Sequence, residues 1–266
     1  MLTQEQLDAL LQLVAEAGQA TLPYWRSELD VQQKSDDSPV TVADLAADRI
    51  LAAGLPSILE IPLLSEEACT IPLAERQQWR RWWLIDPLDG TKEFIAGSEE
   101  YTVNVALIER GEPVFGVVGV PASGQIYYGG RTQGASVLEQ GIARPIGVQA
   151  SRTPLLVAGS RRHGSGQQQE FMTALQSQRA VELVSAGSSL KFCWLAEGRV
   201  DFYPRLAPTS QWDTAAAQAV LEGAGGQVLD LQGRRLGYGA AASYLNPFFL
   251  AFNGDEVLRQ QVLQLV

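Results

Sequence analysis

The most informative segment of this chain reads Trp82-Trp83-Leu84-Ile85-Asp86-Pro87-Leu88-Asp89-Gly90-Thr91-Lys92. Its short apolar run predicts a buried strand, which delivers the carboxylates of Asp86 and Asp89 into a turn. Pro87 fixes φ and donates no hydrogen bond, and Gly90 lets the main chain approach a bound group without a Cβ in between. Two neighbouring acids repel unless a cation lies between them, and backbone N–H groups at a helix start suit an anion. The segment therefore predicts metal-assisted phosphate chemistry.

The composition limits the classes of protein to which this chain can belong. A length of 266 residues fits one large domain or two closely packed ones, and the apolar fraction of 46% is ordinary for a globular protein. The net charge is −10, which argues against a nucleic-acid polymer as a partner, because such polymers need a positive stripe. A small anionic substrate is compatible with this charge if cations or a local basic pocket offset the acidic field.

The sequence predicts a soluble, cytoplasmic protein. No basic segment follows Met1, and no apolar run approaches the roughly 18 residues of a membrane span. Cys69 and Cys193 lie in apolar contexts without C-x-x-C spacing, so both are predicted to be reduced, buried packing residues. Peripheral attachment to the inner face of the cell membrane stays open, although no basic amphipathic helix supports it. The sequence predicts no particular oligomeric state.

The chain divides into two halves, residues 1–150 and 151–266. In the first half, Thr3 and Gln6 form a capping box that begins an amphipathic helix extending to Trp25, and Thr41 begins a second helix. Strands are predicted over 63–65, 101–108, 114–120, 125–129 and 135–138. This half therefore reads as two helices over an antiparallel sheet.

The second half alternates strands with helices, which is typical of an α/β arrangement. Strands are predicted over 155–159, 180–184, 200–203, 228–231 and 248–252, and helices over 167–176 and 188–197. Asp213 is predicted to be the N-cap of a further helix that ends at Gly225-Gly226, and Asp255 opens a terminal helix. The whole chain is thus predicted to mix α+β and α/β structure, with both halves packed as one body.

Four acids lie at the ends of predicted elements, namely Glu66, Asp86, Asp89 and Asp213. A D-x-x-D pair alone is often a turn with one capping aspartate, and Asp213 alone reads as an N-cap. Together, however, carboxylates placed in turns are what a hard, oxygen-ligated cation such as Mg²⁺ requires. The sequence therefore predicts a magnesium site.

Three motifs, taken in order, resemble the lithium-sensitive, Mg²⁺-dependent inositol monophosphatase superfamily. They are Ser65-Glu66-Glu67, Asp86-Pro87-Leu88-Asp89-Gly90-Thr91 and Trp212-Asp213-Thr214-Ala215-Ala216, and the likeness covers essentially the whole chain. Within the superfamily the likeness is greatest to bacterial CysQ-type 3′(2′),5′-bisphosphate nucleotidases, through residues 34–41, 91–94, 187–192 and 203–205. This resemblance implies a layered α/β/α/β/α sandwich.

The resemblance also implies a set of metal ligands. Glu66 and Asp86, with the backbone carbonyl of Leu88, would bind a first Mg²⁺. Asp86, Asp89 and Asp213 would bind a second, and the superfamily holds two or three such ions in one site. Two divalent cations about 4 Å apart can activate a water on one side of phosphorus and stabilise the leaving oxygen on the other.

Further roles follow from the same resemblance. Thr91 and Asp44 would orient and deprotonate the attacking water, and Glu67 would order water around the metals. The N–H groups of Gly90 and Thr91 would hold the phosphate being removed. The metal ligands Glu66 and Asp213 would also contact the substrate.

A separate group of residues matches the nucleotide contacts of the nucleotidase branch. Ser188, Lys191 and Arg205 match positions that hold the remaining phosphate and the sugar. Ser188 and Lys191 lie three residues apart on a predicted helix, so both can point at one anion, and Arg205 adds a planar fork of donors. His163 resembles the residue beside the nucleobase.

The resemblance implies removal of the 3′-phosphate of adenosine 3′,5′-bisphosphate to give AMP, with 3′-phosphoadenylyl sulfate as a second substrate. Such an enzyme would clear a by-product of sulfate activation. An inositol- or sugar-phosphate phosphatase shares every metal residue and remains the alternative enzyme, and a non-catalytic metal or phosphate sensor is the alternative of another class. A Ser/His/Asp hydrolase is disfavoured, because His163 is the one histidine and no Gly-x-Ser-x-Gly elbow is present.

Overall fold

The computed structural model describes residues 2–27, 32–33, 39–159 and 166–266. The first elements are helix α1 (Gln4–Thr21), a 3₁₀ turn (Leu22–Tyr24), the short strands β1 (Gln32–Gln33) and β2 (Pro39–Val40), and helix α2 (Val42–Ile58). The predicted capping box at Thr3 forms, since Gln6 N–H donates to the Thr3 hydroxyl. Thr41 caps the second helix as predicted, and its N–H donates to Asp44, which makes a second capping box. Helix α1 ends four residues before Trp25, because Pro23 in the following turn has no N–H to continue it.

A seven-stranded sheet follows, with its strands side by side in chain order. The strands are β3 (Leu63–Ser65), β4 (Arg81–Asp89), β5 (Thr102–Glu109), β6 (Glu112–Val120), β7 (Gln125–Gly130), β8 (Gly134–Glu139) and β9 (Ile142–Ile146), with helices α3 (Leu73–Arg76) and α4 (Thr91–Ile95) on either side of β4. Strands β3 and β4 are parallel and all the other neighbours are antiparallel. Strand β9 was not predicted, since four of its five residues are exposed and it lacks apolar alternation.

A five-stranded sheet lies in the second half, in the order β11-β10-β12-β14-β13. Its elements, in chain order, are β10 (Leu155–Gly159), α5 (Gly166–Gln178), β11 (Val181–Ser185), α6 (Leu190–Ala196), β12 (Phe202–Arg205), α7 (Gln211–Gly223), β13 (Gln227–Asp230), β14 (Phe249–Phe252) and α8 (Glu256–Leu263). Strand β10 is parallel to β11 and β12, whereas β12, β14 and β13 are antiparallel. The predicted strands are present, with ends shifted by up to two residues.

Three apolar layers hold these elements together. Helices α1 and α2 cover one face of the seven-stranded sheet, and α6 and α7 lie between its other face and the five-stranded sheet. Helices α5 and α8 cover the remaining face of the five-stranded sheet. The predicted α/β/α/β/α sandwich is therefore confirmed. Helix α7 of the second half packs on the sheet of the first half, so residues from both sides of position 150 share one hydrophobic core. The division into two domains at this position stays a prediction.

The close packing of α7 depends on a glycine in the sheet. A Cβ on Gly116 of β6 would lie 2.0 Å from the carbonyl oxygen of Ala216, so only glycine lets the helix approach this strand. This approach positions the first turn of α7, which carries Asp213, over the end of β4.

Two helix starts differ from the prediction. Helix α6 begins at Leu190 instead of Ser188, which precedes the helix with a left-handed φ of 43°. Helix α7 begins at Gln211 with Ser210 as its N-cap, and Asp213 is the third residue of the helix. The Asp213 carboxylate accepts the Ser210 N–H at 2.9 Å, so it completes a capping box rather than providing the cap itself.

Among the described residues, no helix has the length and apolar character needed to cross a membrane. Cys69 and Cys193 are both free, as predicted. Cys193 is buried, whereas the prediction that Cys69 is buried is wrong, because it is only partly covered.

Candidate active site

The end of β4 presents two acids on one face of the sheet. In a regular strand, residues three positions apart point to opposite faces. Here Asp86 pairs with Asn104 and Asp89 pairs with Thr102, so three steps along β4 match two steps along β5. The irregularity between them, around Pro87, is a bulge that restores the common face. The prediction that these acids lie in a turn is therefore wrong: they lie in the bulged end of the strand.

Three of the predicted ligands form a compact acidic cluster. Carboxylate oxygens of Glu66, Asp86 and Asp213 all lie within 4.8 Å of one another. Glu66 follows β3 and its N–H donates to the Ile85 carbonyl at 3.2 Å, which holds it beside β4. Asp213 arrives from the first turn of α7. A donor set made only of carboxylate oxygens fits a hard cation such as Mg²⁺, so these residues are suited to the metal that the sequence predicts.

The electrostatics of the cluster support this assignment. Burial raises the pKa of Asp86 well above its ordinary value, and repulsion from Glu66, Asp89 and Asp213 raises it further. The pKa of Asp213 is raised in the same way, by burial first and then by Asp89 and Glu66. A divalent cation among these oxygens would favour their ionised forms and reverse both shifts.

Asp89 is not one of the three clustered carboxylates, although it is near enough to repel Asp86 and Asp213, and it has protein donors of its own. Its Oδ2 accepts the backbone N–H of Ser189 at 2.5 Å and lies 3.4 Å from the Thr102 hydroxyl. Burial raises the pKa of Asp89 to about 6, while the nearby Lys191 and the Ser189 N–H oppose the rise. Asp89 is therefore more readily ionised than a carboxyl that is buried without such partners.

Thr91 and Asp44 are brought together as predicted. The Thr91 hydroxyl donates to Asp44 Oδ1 at 3.3 Å, with the Leu88 carbonyl as a second acceptor at 3.4 Å. The other carboxylate oxygen of Asp44 accepts the N–H and the hydroxyl of Thr41, at 2.8 and 2.6 Å. These bonds orient the Asp44 carboxylate, which is only 2% exposed.

One cavity of about 320 Å³ contains most of the predicted site. The predicted residues that line it are Glu66, Asp86, Leu88, Asp89, Gly90, Thr91, Ser188, Lys191, Arg205 and Asp213. Asp44 lies behind Thr91, and Glu67 occupies the turn after β3; neither is among the described residues that line the cavity. His163 falls outside the described residues, so its predicted contact with the nucleobase stays a prediction.

Lys191 is the buried cation of the cavity. Its ammonium donates to the carbonyls of Ser188 and Ala186, at 2.7 and 3.2 Å, and it lies 5.3 Å from the centre of the Tyr203 ring. Burial lowers the pKa of Lys191 to about 8, against the opposing effect of Asp89. The predicted arrangement of Ser188 and Lys191 on one helix face is wrong, because Ser188 precedes the helix and its carbonyl receives the lysine.

Arg205 lies at the end of β12, on the same side of the cavity as Lys191. Its Nε donates to the Ala207 carbonyl at 3.2 Å, and one Nη donates to the Pro208 carbonyl at 2.8 Å. These bonds hold the guanidinium in place, and its remaining N–H groups are the donors that could bind an anion.

Three polar residues near Asp89 were not predicted to belong to the site, namely Thr102, Asn104 and Ser189. All three are almost fully buried. A signal was present, since Thr102 and Asn104 are polar residues two apart in an otherwise apolar strand, and this spacing places them on one face.

The chain belongs to the inositol monophosphatase family, whose model matches residues 3–260. The 3′(2′),5′-bisphosphate nucleotidase CysQ of Salmonella typhimurium is 44% identical to it over 248 residues, which cover 91% of this chain and 98% of that protein. The nucleotidase CysQ of Haemophilus influenzae is 31% identical, over 96% of this chain and 95% of its own. The crystal structure of CysQ from Bacteroides thetaiotaomicron, a bacterial member of the same family, is 32% identical with a TM-score of 0.83, over 94% of this chain and 98% of that one.

These matches confirm the predicted family and the likeness to CysQ-type proteins. They also confirm the predicted class of enzyme, a phosphoric monoester hydrolase. The roles of the individual site residues stay predictions.

Proposed function

We propose that this protein is a Mg²⁺-dependent phosphatase that removes the 3′-phosphate of adenosine 3′,5′-bisphosphate, giving AMP and inorganic phosphate. 3′-Phosphoadenylyl sulfate is its second substrate, which would give adenylyl sulfate. The nucleotidase names of relatives that are 31–44% identical support this assignment.

The observation that carries the proposal is that one cavity contains both an acidic cluster and two cationic side chains. The acidic cluster of Glu66, Asp86 and Asp213 would hold the metal ions that receive the phosphate to be cleaved. Lys191 and Arg205 line the same cavity. A substrate that carries a second anionic group can use these cations as well as the metal ions, whereas a monophosphate uses the metal ions alone.

The chain's own residues perform the proton transfer in this proposal. Bound Mg²⁺ would supply Lewis-acid activation and neutralise charge on the phosphate. The Thr91 hydroxyl oxygen accepts a proton from the attacking water while its own proton passes to Asp44 Oδ1, to which it already donates. Gly90 and Thr91, at the start of α4, turn backbone N–H groups toward the phosphate.

A direct assay tests the substrate. With Mg²⁺, the purified protein should release phosphate from adenosine 3′,5′-bisphosphate much faster than from inositol 1-phosphate or fructose 1,6-bisphosphate, and Li⁺ should inhibit the reaction. A preference for inositol 1-phosphate or the sugar bisphosphate would overturn the nucleotide assignment and favour the alternative phosphatase.

A single substitution separates the enzyme from a non-catalytic sensor. Asp44→Asn should abolish turnover by removing the proton acceptor, while Mg²⁺ binding, measured by calorimetry, should persist because Asp44 lies behind Thr91. If the unaltered protein binds Mg²⁺ and nucleotide but hydrolyses no ester, the sensor is the correct assignment.

A further inference from the structure

We propose that Thr102, Ser189 and Asn104 form a positioning unit that orients Asp89 toward the metal ions. The inference rests on the proposed function, because it takes Asp89 as a metal ligand. None of the three residues is itself a ligand in this proposal. They act through the carboxylate that they hold.

The unit is a continuous chain of hydrogen bonds that joins the two halves of the protein. Ser189 precedes α6, and its hydroxyl lies 2.8 Å from the Thr102 hydroxyl and 2.8 Å from Asn104 Oδ1. The backbone N–H of the same serine donates to Asp89 Oδ2 at 2.5 Å. Thr102 and Asn104 lie two apart on β5, so both face Ser189, and they are the cross-strand partners of Asp89 and Asp86.

The direction of these bonds follows from the orientation of the Asn104 amide, whose Oδ1 faces Ser189. This oxygen can only accept, so the Ser189 hydroxyl donates its one proton to it. The Thr102 hydroxyl then donates its proton to the Ser189 hydroxyl at 2.8 Å. The same proton can reach Asp89 Oδ2 only over 3.4 Å, so that hydrogen bond is the weaker of the two. The strong bond to Asp89 is therefore the backbone N–H of Ser189, which the two side chains of β5 hold in place.

Two observations indicate that this unit serves the site rather than the core. The Nδ2 of Asn104 is buried and has no hydrogen-bond partner among the described residues, which is unfavourable for a residue that only fills the core. Ser188, immediately before Ser189, has a left-handed φ of 43°, a conformation that a non-glycine residue adopts only when its surroundings hold it there.

The consequence for Asp89 is that its two oxygens have different functions. Oδ2 is engaged by the Ser189 N–H, so the carboxylate can present Oδ1 to a cation in a fixed orientation. Removing a hydrogen-bond partner that orients a metal ligand usually changes metal affinity by about 10- to 100-fold.

The experiment compares variants that differ in one hydroxyl. Thr102→Val removes the hydroxyl at nearly constant shape, Thr102→Ser retains it, and Ser189→Ala removes the central link. Mg²⁺ affinity is measured by calorimetry and Tm by thermal unfolding in EDTA. Thr102→Val and Ser189→Ala should each weaken Mg²⁺ binding by about tenfold or more, and Thr102→Ser should stay within about threefold of the unaltered protein.

A matched control separates positioning from loss of stability. Tyr127→Phe removes another buried hydroxyl, one that donates to Glu197 Oε2 at 3.0 Å, and Tyr127 is not among the described residues that line the cavity. It should lower Tm without changing Mg²⁺ affinity. A change in affinity with Tyr127→Phe equal to that with Thr102→Val would overturn the proposal.

The outcomes also distinguish this inference from the proposed function. If Asp89→Asn weakens Mg²⁺ binding but Thr102→Val and Ser189→Ala do not, Asp89 is a ligand and the positioning unit is wrong. If the unaltered protein binds no Mg²⁺, the proposed function fails and the inference fails with it.

Discussion

The ionised Asp86 carboxylate is unfavourable for the metal-free fold but suited to binding a cation. It is 1% exposed and surrounded by Glu66, Asp89 and Asp213, so its ionised form is unfavourable until a cation is present. The other buried aspartate of interest, Asp201, has the opposite environment, because Arg152 Nε and the Leu156 N–H both donate to it, at 3.1 and 2.9 Å. The two aspartates should therefore respond in opposite ways to the same substitution.

Asp86→Asn should lower kcat by about 10²- to 10⁴-fold, because a preorganised electrostatic contact is lost. In EDTA it should raise Tm, since it removes a charge that its neighbours repel. The matched variant Asp201→Asn should lower Tm because it weakens the ion pair with Arg152. Thermal unfolding of both variants tests the difference, and a lower Tm for Asp86→Asn would contradict this account of the cluster.

Lys191 provides a test of the second anionic group. Lys191→Met should raise KM for adenosine 3′,5′-bisphosphate by about 10- to 100-fold, the usual value of a lost charge-assisted hydrogen bond. Adenosine 3′-monophosphate, which lacks the remote phosphate, should show little change in KM with the same variant. Steady-state kinetics with the two nucleotides measure the effect, and an equal loss for both would place the remote phosphate elsewhere.

At the scale of secondary structure, the site depends on how closely α7 approaches the seven-stranded sheet. Glu66, Asp86 and Asp89 come from strand ends in this sheet, whereas Asp213 comes from α7. The contact between Gly116 and Ala216 sets the distance between the two elements. The same helix start is held by Asn246, whose Nδ2 donates to the Ser210 carbonyl at 2.7 Å.

Gly116→Ala should therefore destabilise the protein by about 3 kcal/mol, because the added methyl group would meet backbone atoms that cannot move independently. It should also weaken Mg²⁺ binding by displacing Asp213. Gly159→Ala in β10 is the matched control, since a Cβ there would meet no atom of the described residues within 4 Å. Denaturant unfolding measures the free energy of unfolding of both variants. Similar losses of stability for the two would show that the close approach of α7 to β6 is not the cause.

For the molecule as a whole, metal binding and stability should be linked through the acidic cluster. The folded-state pKa values of Asp86, Asp89 and Asp213 lie above the ordinary value of 3.8, and that of Asp89 is about 6. At a pH between the ordinary pKa of 3.8 and the raised folded-state pKa, the folded protein holds more protons than the unfolded chain. These groups therefore make the metal-free protein less stable as pH rises from about 4 through 6.

Mg²⁺ should offset this loss, since it pairs with the ionised carboxylates and binds the folded state. The difference in Tm between Mg²⁺ and EDTA should accordingly be larger at about pH 7.5 than at about pH 5. Asp86→Asn should reduce this difference at the higher pH. A difference in Tm that is independent of pH would contradict the linkage.

Local patterns predicted much of this architecture correctly. The capping box at Thr3, the helix cap at Thr41, the strand before Glu66 and the alternation in the second half depend on residues close together in the chain, so spacing revealed them. The ligand-bearing motifs were likewise recognisable as short segments. Strand β9 was missed because a fully exposed edge strand carries no periodic apolar signal.

What the amino-acid sequence alone specified was the family, the layered fold and the set of acids that could bind metal. The three-dimensional packing decided which acids meet and how each is held. The bulge that turns Asp86 and Asp89 to one face depends on pairing with β5, and the bond from Ser189 to Asp89 joins residues 100 positions apart. Such contacts form only when segments distant in sequence pack against each other, and for this reason no local sequence pattern predicts them.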